Sequence, residues 1–252
     1  LLAPIAAVTM MSAVGSAGAA LADPVPAGAS TSATDSGSSI VSGLQFNGGA
    51  SLAGDTLRVV PATRFTAGSI FQTSPTSTRR SFESQFTFFL HGGSIPPADG
   101  LAFVIQDDPR GPSALGLNGS AHGLSGVAPS LAVDFNIYDF FGCNCPTNQV
   151  RLIEDGNYGP SGYNDTALVT TDPGIALYGI RVRAWVDYNA YSHMLSVFLA
   201  PAPARVKPAT PALSAKVNLA GVVGPSAFFG FTAATGALTA KMEVQHWTLG
   251  PL

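Results

Sequence analysis

Charge is scarce in this 252-residue chain: 11% of residues are charged, 12 Lys and Arg against 15 Asp and Glu, for a net of -3. The basic residues are scattered, which excludes the positive stripe that nucleic acid needs for phosphate neutralisation. Cysteine is scarcer still. Cys143 and Cys145 are the only two, one residue apart, so no disulfide framework can carry the fold. Two thiolates with no histidine nearby are too few for a zinc site, which leaves a local disulfide or free thiols. Long apolar runs are missing after the first 22 residues, and none reaches the ~20 residues that a membrane helix requires. Helical periodicity is rare as well.

Turn-formers and strand-formers are abundant, with 28 Gly, 19 Pro and 15 Phe. The opening stretch, LLAPIAAVTMMSAVGSAGAALADP, is apolar and built of small residues. It ends in Ala20-Leu21-Ala22 before Asp23, which fits an export cleavage site. Residues 1–22 are therefore expected to be the remainder of a signal peptide, and a secreted or cell-surface protein follows. Residues 23–42, rich in Ser, Ala, Gly and Pro, read as a flexible leader. From residue 43 to 252 strand-like runs follow one another between turns, among them DTLRVV, RSFESQFTFFLHG, GLAFVIQDD, SLAVDFNIYD, QVRLIED, YGIRVRAWVDYN and AKVNLAG. Leu131, Val133, Phe135 and Ile137 alternate with Ala132, Asp134, Asn136 and Tyr138, so one face packs and the other is open to chemistry. Phe82, Phe86, Phe88 and Leu90 repeat the pattern. Such strands predict an all-β sandwich of two packed antiparallel sheets. The Pro-rich segment 201–217 cannot be a central strand and is expected to cross the surface.

Three segments in order, ADGLAFVIQDDPRGPSALG at 98–116, SLAVDFNIY at 130–138 and the closing run from AWVDYNAYSHMLSVFLA to GFTAATGALTAKMEVQHWTLG, resemble the L-type, legume-lectin-like carbohydrate-binding domains. The resemblance runs from about Leu44 to Leu249 and implies a concanavalin-A-like jelly roll that binds glycans, here in a secreted, bacterial setting. In that family the Asp of an Ala-Asp-Gly step, preceded by a cis peptide, reaches the sugar hydroxyls; the matching residue is Asp99. A carboxylate suits the task because it accepts strong, charge-assisted hydrogen bonds from two adjacent hydroxyls. Gly123 in AHGLSG matches the glycine that lets backbone N–H approach the sugar. Gly236, Ala237 and Leu238 match the loop that sets monosaccharide preference.

The family's metal loop reads Glu-x-Asp-x-aromatic-x-Asn, then an Asp and a His, which together hold a transition metal and a calcium. Here Asp134 stands for the Glu and Asn136 for the shared Asp. Tyr138 keeps the aromatic whose carbonyl binds calcium, Phe140 replaces the Asn, Asn144 or Cys145 falls near the second Asp, and Gln149 replaces the His. Calcium takes about 6–8 oxygens, several of them anionic, and the transition-metal site relies on imidazole and carboxylates. The resemblance thus implies at most a Ca²⁺ site and argues against Mn²⁺; a polar loop fixed by its own hydrogen bonds is the simpler expectation. Asp139 offers a compensating carboxylate only if a bulge re-aims it. Phe140 loses an amide contact to sugar, and gains a ring that can stack on a pyranose face.

Two other functions compete. Glucanases of the same architecture carry Glu-x-Asp-x-x-Glu, and DFNIYD has a similar spacing. A retaining glycosidase needs two carboxylates about 5–5.5 Å apart, whereas the middle position here is Asn136, and Trp185 and Trp247 fall in alternating strands that suit the core. The chain is therefore expected to bind sugar without catalysis. The alternative is a structural or adhesion module that has lost sugar binding. His91, His122, His193 and His246 lack metal-ligand spacing and are expected to be surface or strand residues. Asn118-Gly-Ser and Asn164-Asp-Thr are glycosylation sequons.

Overall fold

The computed structural model describes residues 43–140, 143–156 and 167–252; the expected signal peptide and leader, and Asn164, lie outside them. The described strands are β1 Leu44–Gly48, β2 Ser51–Ala53, β3 Thr56–Val60, β4 Ala67–Gln72, β5 Thr76–Ser77, β6 Phe82–His91, β7 Gly100–Gln106, β8 Ser130–Asp139, β9 Cys145–Glu154, β10 Val169–Thr171, β11 Arg181–Asn189, β12 Met194–Pro201, β13 Leu213–Lys216, β14 Ser226–Ala234 and β15 Lys241–Pro251. They form two sheets of antiparallel pairs. One runs β1-β4-β14-β7-β8-β9-β10, with β5 also on β14, and the other β13-β12-β11-β6-β15-β3-β2.

The alternating residues fill the space between the sheets. Phe86 and Phe88 of β6 and Trp247 of β15 meet Phe103 of β7, Phe135 of β8 and Phe231 of β14. Phe86 and Trp247 each approach Phe231 edge-on at 4.9 Å, and Phe88 lies 4.6 Å from Phe135. Each such pair adds about 0.5–1.5 kcal/mol beyond the area it buries, so this aromatic stack ties the two layers together. Trp185 and Trp247 are both buried, as their alternation predicts.

A second core, which the alternation does not announce, lies on the outer face of the first sheet. Phe71, Ala102, Val104, Ala132 and Ile153 are buried there beneath Ala114, Leu124 and Val127 of the long connection between β7 and β8. The DDPRG motif fastens that cover. Arg110 grips Asp108 through Nε and Nη2 at 2.7 and 2.8 Å, and also donates to the carbonyls of Leu115 and Gly126. The guanidinium holds the Asp108 carboxyl down at about 2 despite its burial.

Two segments depart from their sequence reading. AKVNLAG is not one strand: β13 ends at Lys216, and Leu219–Val223 forms a short helix, α1. Asn218 caps it by accepting from the Gly221 N–H, and the i, i+4 pair Leu219 and Val223 is buried, so local capping wins over strand pairing. The Pro-rich connection does stay off the sheet centre, but its end supplies β13, an edge strand.

Candidate functional site

The register brings three strands to a common end. Gly100 opens β7 opposite Ala234, the last residue of β14, and opposite Asn136 of β8. Asp99 precedes Gly100, and its backbone is tied on both sides: its N–H donates to the Ala234 carbonyl at 3.3 Å, and its carbonyl accepts from the Ile137 N–H at 3.0 Å. The Ala98–Asp99 peptide is cis, as the resemblance implies. The side chain is only 5% exposed, and its Oδ2 has no hydrogen-bond partner among the described residues. Burial pushes the Asp99 carboxyl up to about 6, a shift that the nearby His122 and the Gly236 N–H only partly offset.

Around Asp99 lies a pocket of about 380 Å³, lined by Phe65, Asn118, Gly119, Ser120, Tyr138, Phe140, Gly236, Ala237 and Leu238. Its walls are three loops laced by hydrogen bonds. The Phe65 N–H donates to the Gly236 carbonyl at 3.0 Å, the Gly119 N–H to Thr235 at 3.0 Å, and Asn118 Nδ2 to the Phe65 carbonyl at 2.9 Å. Phe65 sits at φ 52, a backbone conformation uncommon for a bulky side chain, with its ring 65% exposed at the rim. Phe140 on the opposite loop is 51% exposed. A partly apolar concavity with one buried acid is suited to a ligand that offers hydroxyl donors on one edge and an apolar face on the other.

Asp134 is wholly buried on the neighbouring strand. Its Oδ1 lies 2.5 Å from His122 Nδ1, and its Oδ2 accepts from Arg151 Nε at 2.8 Å and Nη2 at 2.6 Å. Burial alone would raise this carboxyl, but Arg151 and His122 together outweigh it and hold it below its ordinary value. Next to it Asn136 Nδ2 donates to Gln149 Oε1 at 3.1 Å, and Asn136 Oδ1 accepts from the Tyr138 N–H at 3.3 Å. The Tyr138 hydroxyl donates towards Asn144, whose carbonyl and Oδ1 lie at 3.0 and 3.1 Å. Cys143 and Cys145 form a disulfide around Asn144. The ladder shifts register between Asn136 and Tyr138, and Asp139 ends up half-buried opposite Cys145.

The structure thus gathers Asp99, Phe140, Gly236, Ala237 and Leu238 at one pocket. Gly123 stands apart: it is buried, its N–H donates to the Leu117 carbonyl, and a Cβ there would meet the Ala233 and Gly68 carbonyls at 3.0 and 3.3 Å. Its role is close packing, and the glycine that lines the pocket is Gly119. Asp134, Asn136, Tyr138, Asn144 and Gln149 do adjoin one another, yet their polar atoms are turned to protein partners. Among the described residues no three His, Cys, Asp or Glu side chains converge to hold a metal ion. His122 is neither a surface nor a strand residue; it is buried at the heart of the site. Its link to Asp134 spans twelve positions through a loop, and only the fold reveals it. Asp134, the first acid of the glucanase-like spacing, is wholly buried with both oxygens engaged by His122 and Arg151.

Two antiparallel sheets in this order, joined by a long cover over one face, define a jelly-roll sandwich of the lectin type. Residues 40–250 match the legume lectin domain model, and the chain belongs to that family. Among its relatives is the Arabidopsis thaliana probable inactive L-type lectin-domain containing receptor kinase III.1, 32% identical over 69% of this chain and 30% of that protein. Another is the rice L-type lectin-domain containing receptor kinase SIT1, 30% identical over 68% and 27% respectively. The chain thus spans under a third of the length of these curated relatives. Both are plant proteins, so they lend nothing to the expectation of a bacterial source. Among solved structures, a lectin from Bauhinia forficata in complex with GalNAc aligns at a TM-score of 0.65, 24% identity, 83% of this chain and 92% of that one. Basic winged bean lectin with Tn-antigen aligns at 0.67, 20% identity, 84% and 93%. At these identities the structural likeness speaks for the fold.

Proposed function

We propose that this domain acts outside the cell as a carbohydrate-binding module, holding a terminal sugar in the Asp99 pocket without transforming it. The observation that carries the reading is the Asp99 carboxylate: nearly closed off from solvent, raised by burial, and with Oδ2 lacking a donor. A buried polar oxygen left unpaired costs about 1–3 kcal/mol, and a sugar hydroxyl would relieve that cost. The exposed rings of Phe65 and Phe140 then supply stacking surface for the apolar face of a pyranose. Membership of a lectin family, the export-like opening stretch and the Cys143–Cys145 disulfide support an extracellular glycan as the partner.

A glycan array probed with the purified chain tests this. Asn118 begins a sequon on the pocket wall, so the protein is made in a host without N-glycosylation. Binding to a defined set of terminal sugars, lost in Asp99→Asn, is expected. The second reading, a module retaining the sandwich but not sugar recognition, is favoured by Phe140 standing where the family has a sugar-contacting Asn. It predicts a folded protein that binds nothing on the array.

A further inference from the structure

We propose that a buried Arg151–Asp134–His122 cluster takes over, in this chain, the bracing role that bound metals play in the lectin fold, so that the domain folds and shapes its pocket without a cation. The residues matching the family's ligand positions do not fit a metal pair. The one retained carboxylate, Asp134, already spends Oδ1 on His122 and Oδ2 on two nitrogens of Arg151. Asn136 spends its amide on Gln149 and its carbonyl oxygen on the Tyr138 N–H, and Asn144 is engaged by the Tyr138 hydroxyl. Two neutral amides facing each other across β8 and β9 offer neither the anionic oxygens that calcium needs nor the imidazole of a transition-metal site.

The positive charge that a metal would bring is supplied by the protein. Asp134 and Arg151 are cross-strand partners in register, and the guanidinium meets one carboxylate oxygen with two of its nitrogens. A carboxylate this deep persists only with such partners. The brace also reaches the binding residue. His122 packs directly beneath Gly100, where an added Cβ would lie 2.4 Å from its Cε1 and 2.7 Å from its Nδ1. The sequence of contacts therefore runs Arg151, Asp134, His122, Gly100 and on to Asp99. Only this last link rests on the sugar-binding reading.

Calorimetric melting of the purified chain tests the proposal without any sugar, so a failure of glycan binding leaves it untouched. The protein is dialysed against EDTA, then melted alone, with CaCl2, with MnCl2 and with both. A native-state cation site filled to about 100 times its dissociation constant would raise the midpoint by about 5–10 °C in a domain of this size. No such rise is expected. A rise of that size in the wild-type protein, or stoichiometric calcium or manganese carried through purification, would overturn the proposal. The reciprocal variant combines Asn136→Asp, Gln149→His and Arg151→Val, which removes the internal cation and restores two of the family's ligand types. It is expected to melt below wild type in EDTA and to recover on adding the two cations. A variant as stable in EDTA as wild type and indifferent to both ions would show that Arg151 does not stand in for a metal.

Discussion

Asp99 and Asp134 lie one strand apart, both almost fully enclosed, and they meet burial in opposite ways. Asp134 has a donor for each oxygen, and its carboxyl is held below the ordinary value. Asp99 has an oxygen with no donor and a carboxyl raised to about 6. The same side chain at two neighbouring places has both oxygens engaged in one and an oxygen left without a donor in the other. What distinguishes them is whether the fold itself provides the missing partners.

Removing a partner from Asp134 should therefore have the larger effect on stability. Arg151→Ala leaves a buried carboxylate without its main counter-charge and is expected to cost about 3–5 kcal/mol in urea unfolding. Gly100→Ala drives a methyl group towards the His122 ring and the Phe135 carbonyl. It should cost about 1–3 kcal/mol by the same measurement, and it tests whether the two acids are mechanically linked. Asp99→Asn should break the comparison from the other side, lowering glycan affinity about 10- to 100-fold while leaving stability unchanged or slightly raised.

Acidity separates the two acids further. Asp99 holds its proton more tightly folded than unfolded, so stability from this group rises as pH falls from above about 6 towards the ordinary value of 3.8. Glycan affinity should move the other way, declining as pH drops through about 6, and the decline should vanish in Asp99→Asn. Asp134 is lowered, so its contribution is present above the ordinary carboxylate range and is lost only in stronger acid. The smallest effect belongs to the rim. Phe140→Ala should change stability by less than about 0.5 kcal/mol, the ring being half exposed, and weaken binding a few-fold.

The sequence makes the open acid legible and hides the closed one. Asp99 and the Gly236, Ala237 and Leu238 loop are picked out by the family resemblance, since Asp-Gly and a Gly-containing hairpin taken alone read as ordinary turns. The strand pattern likewise gives the sandwich, because a period of two reads directly as one buried face. Arg151 in QVRLIED looks like any polar residue of a strand. Its meeting with Asp134 depends on the register of β8 against β9, in which the two residues are cross-strand partners. His122 and Phe65 reach the site from long loops, where contacts follow topology rather than periodicity. Gly123 lies four residues beyond Gly119, the loop glycine that lines the pocket; both have a positive φ, which serves packing as readily as it serves a ligand.

The proposed sugar site rests on Asp99, a buried carboxylate with one oxygen lacking a donor. Its most direct test is calorimetric titration of the strongest array glycan into wild type and Asp99→Asn, at pH 7.5 in EDTA. Saturable binding to wild type that Asp99→Asn loses, with both proteins melting alike, is the predicted result. Equal binding by the two, or binding that appears only when metal replaces chelator, would contradict it.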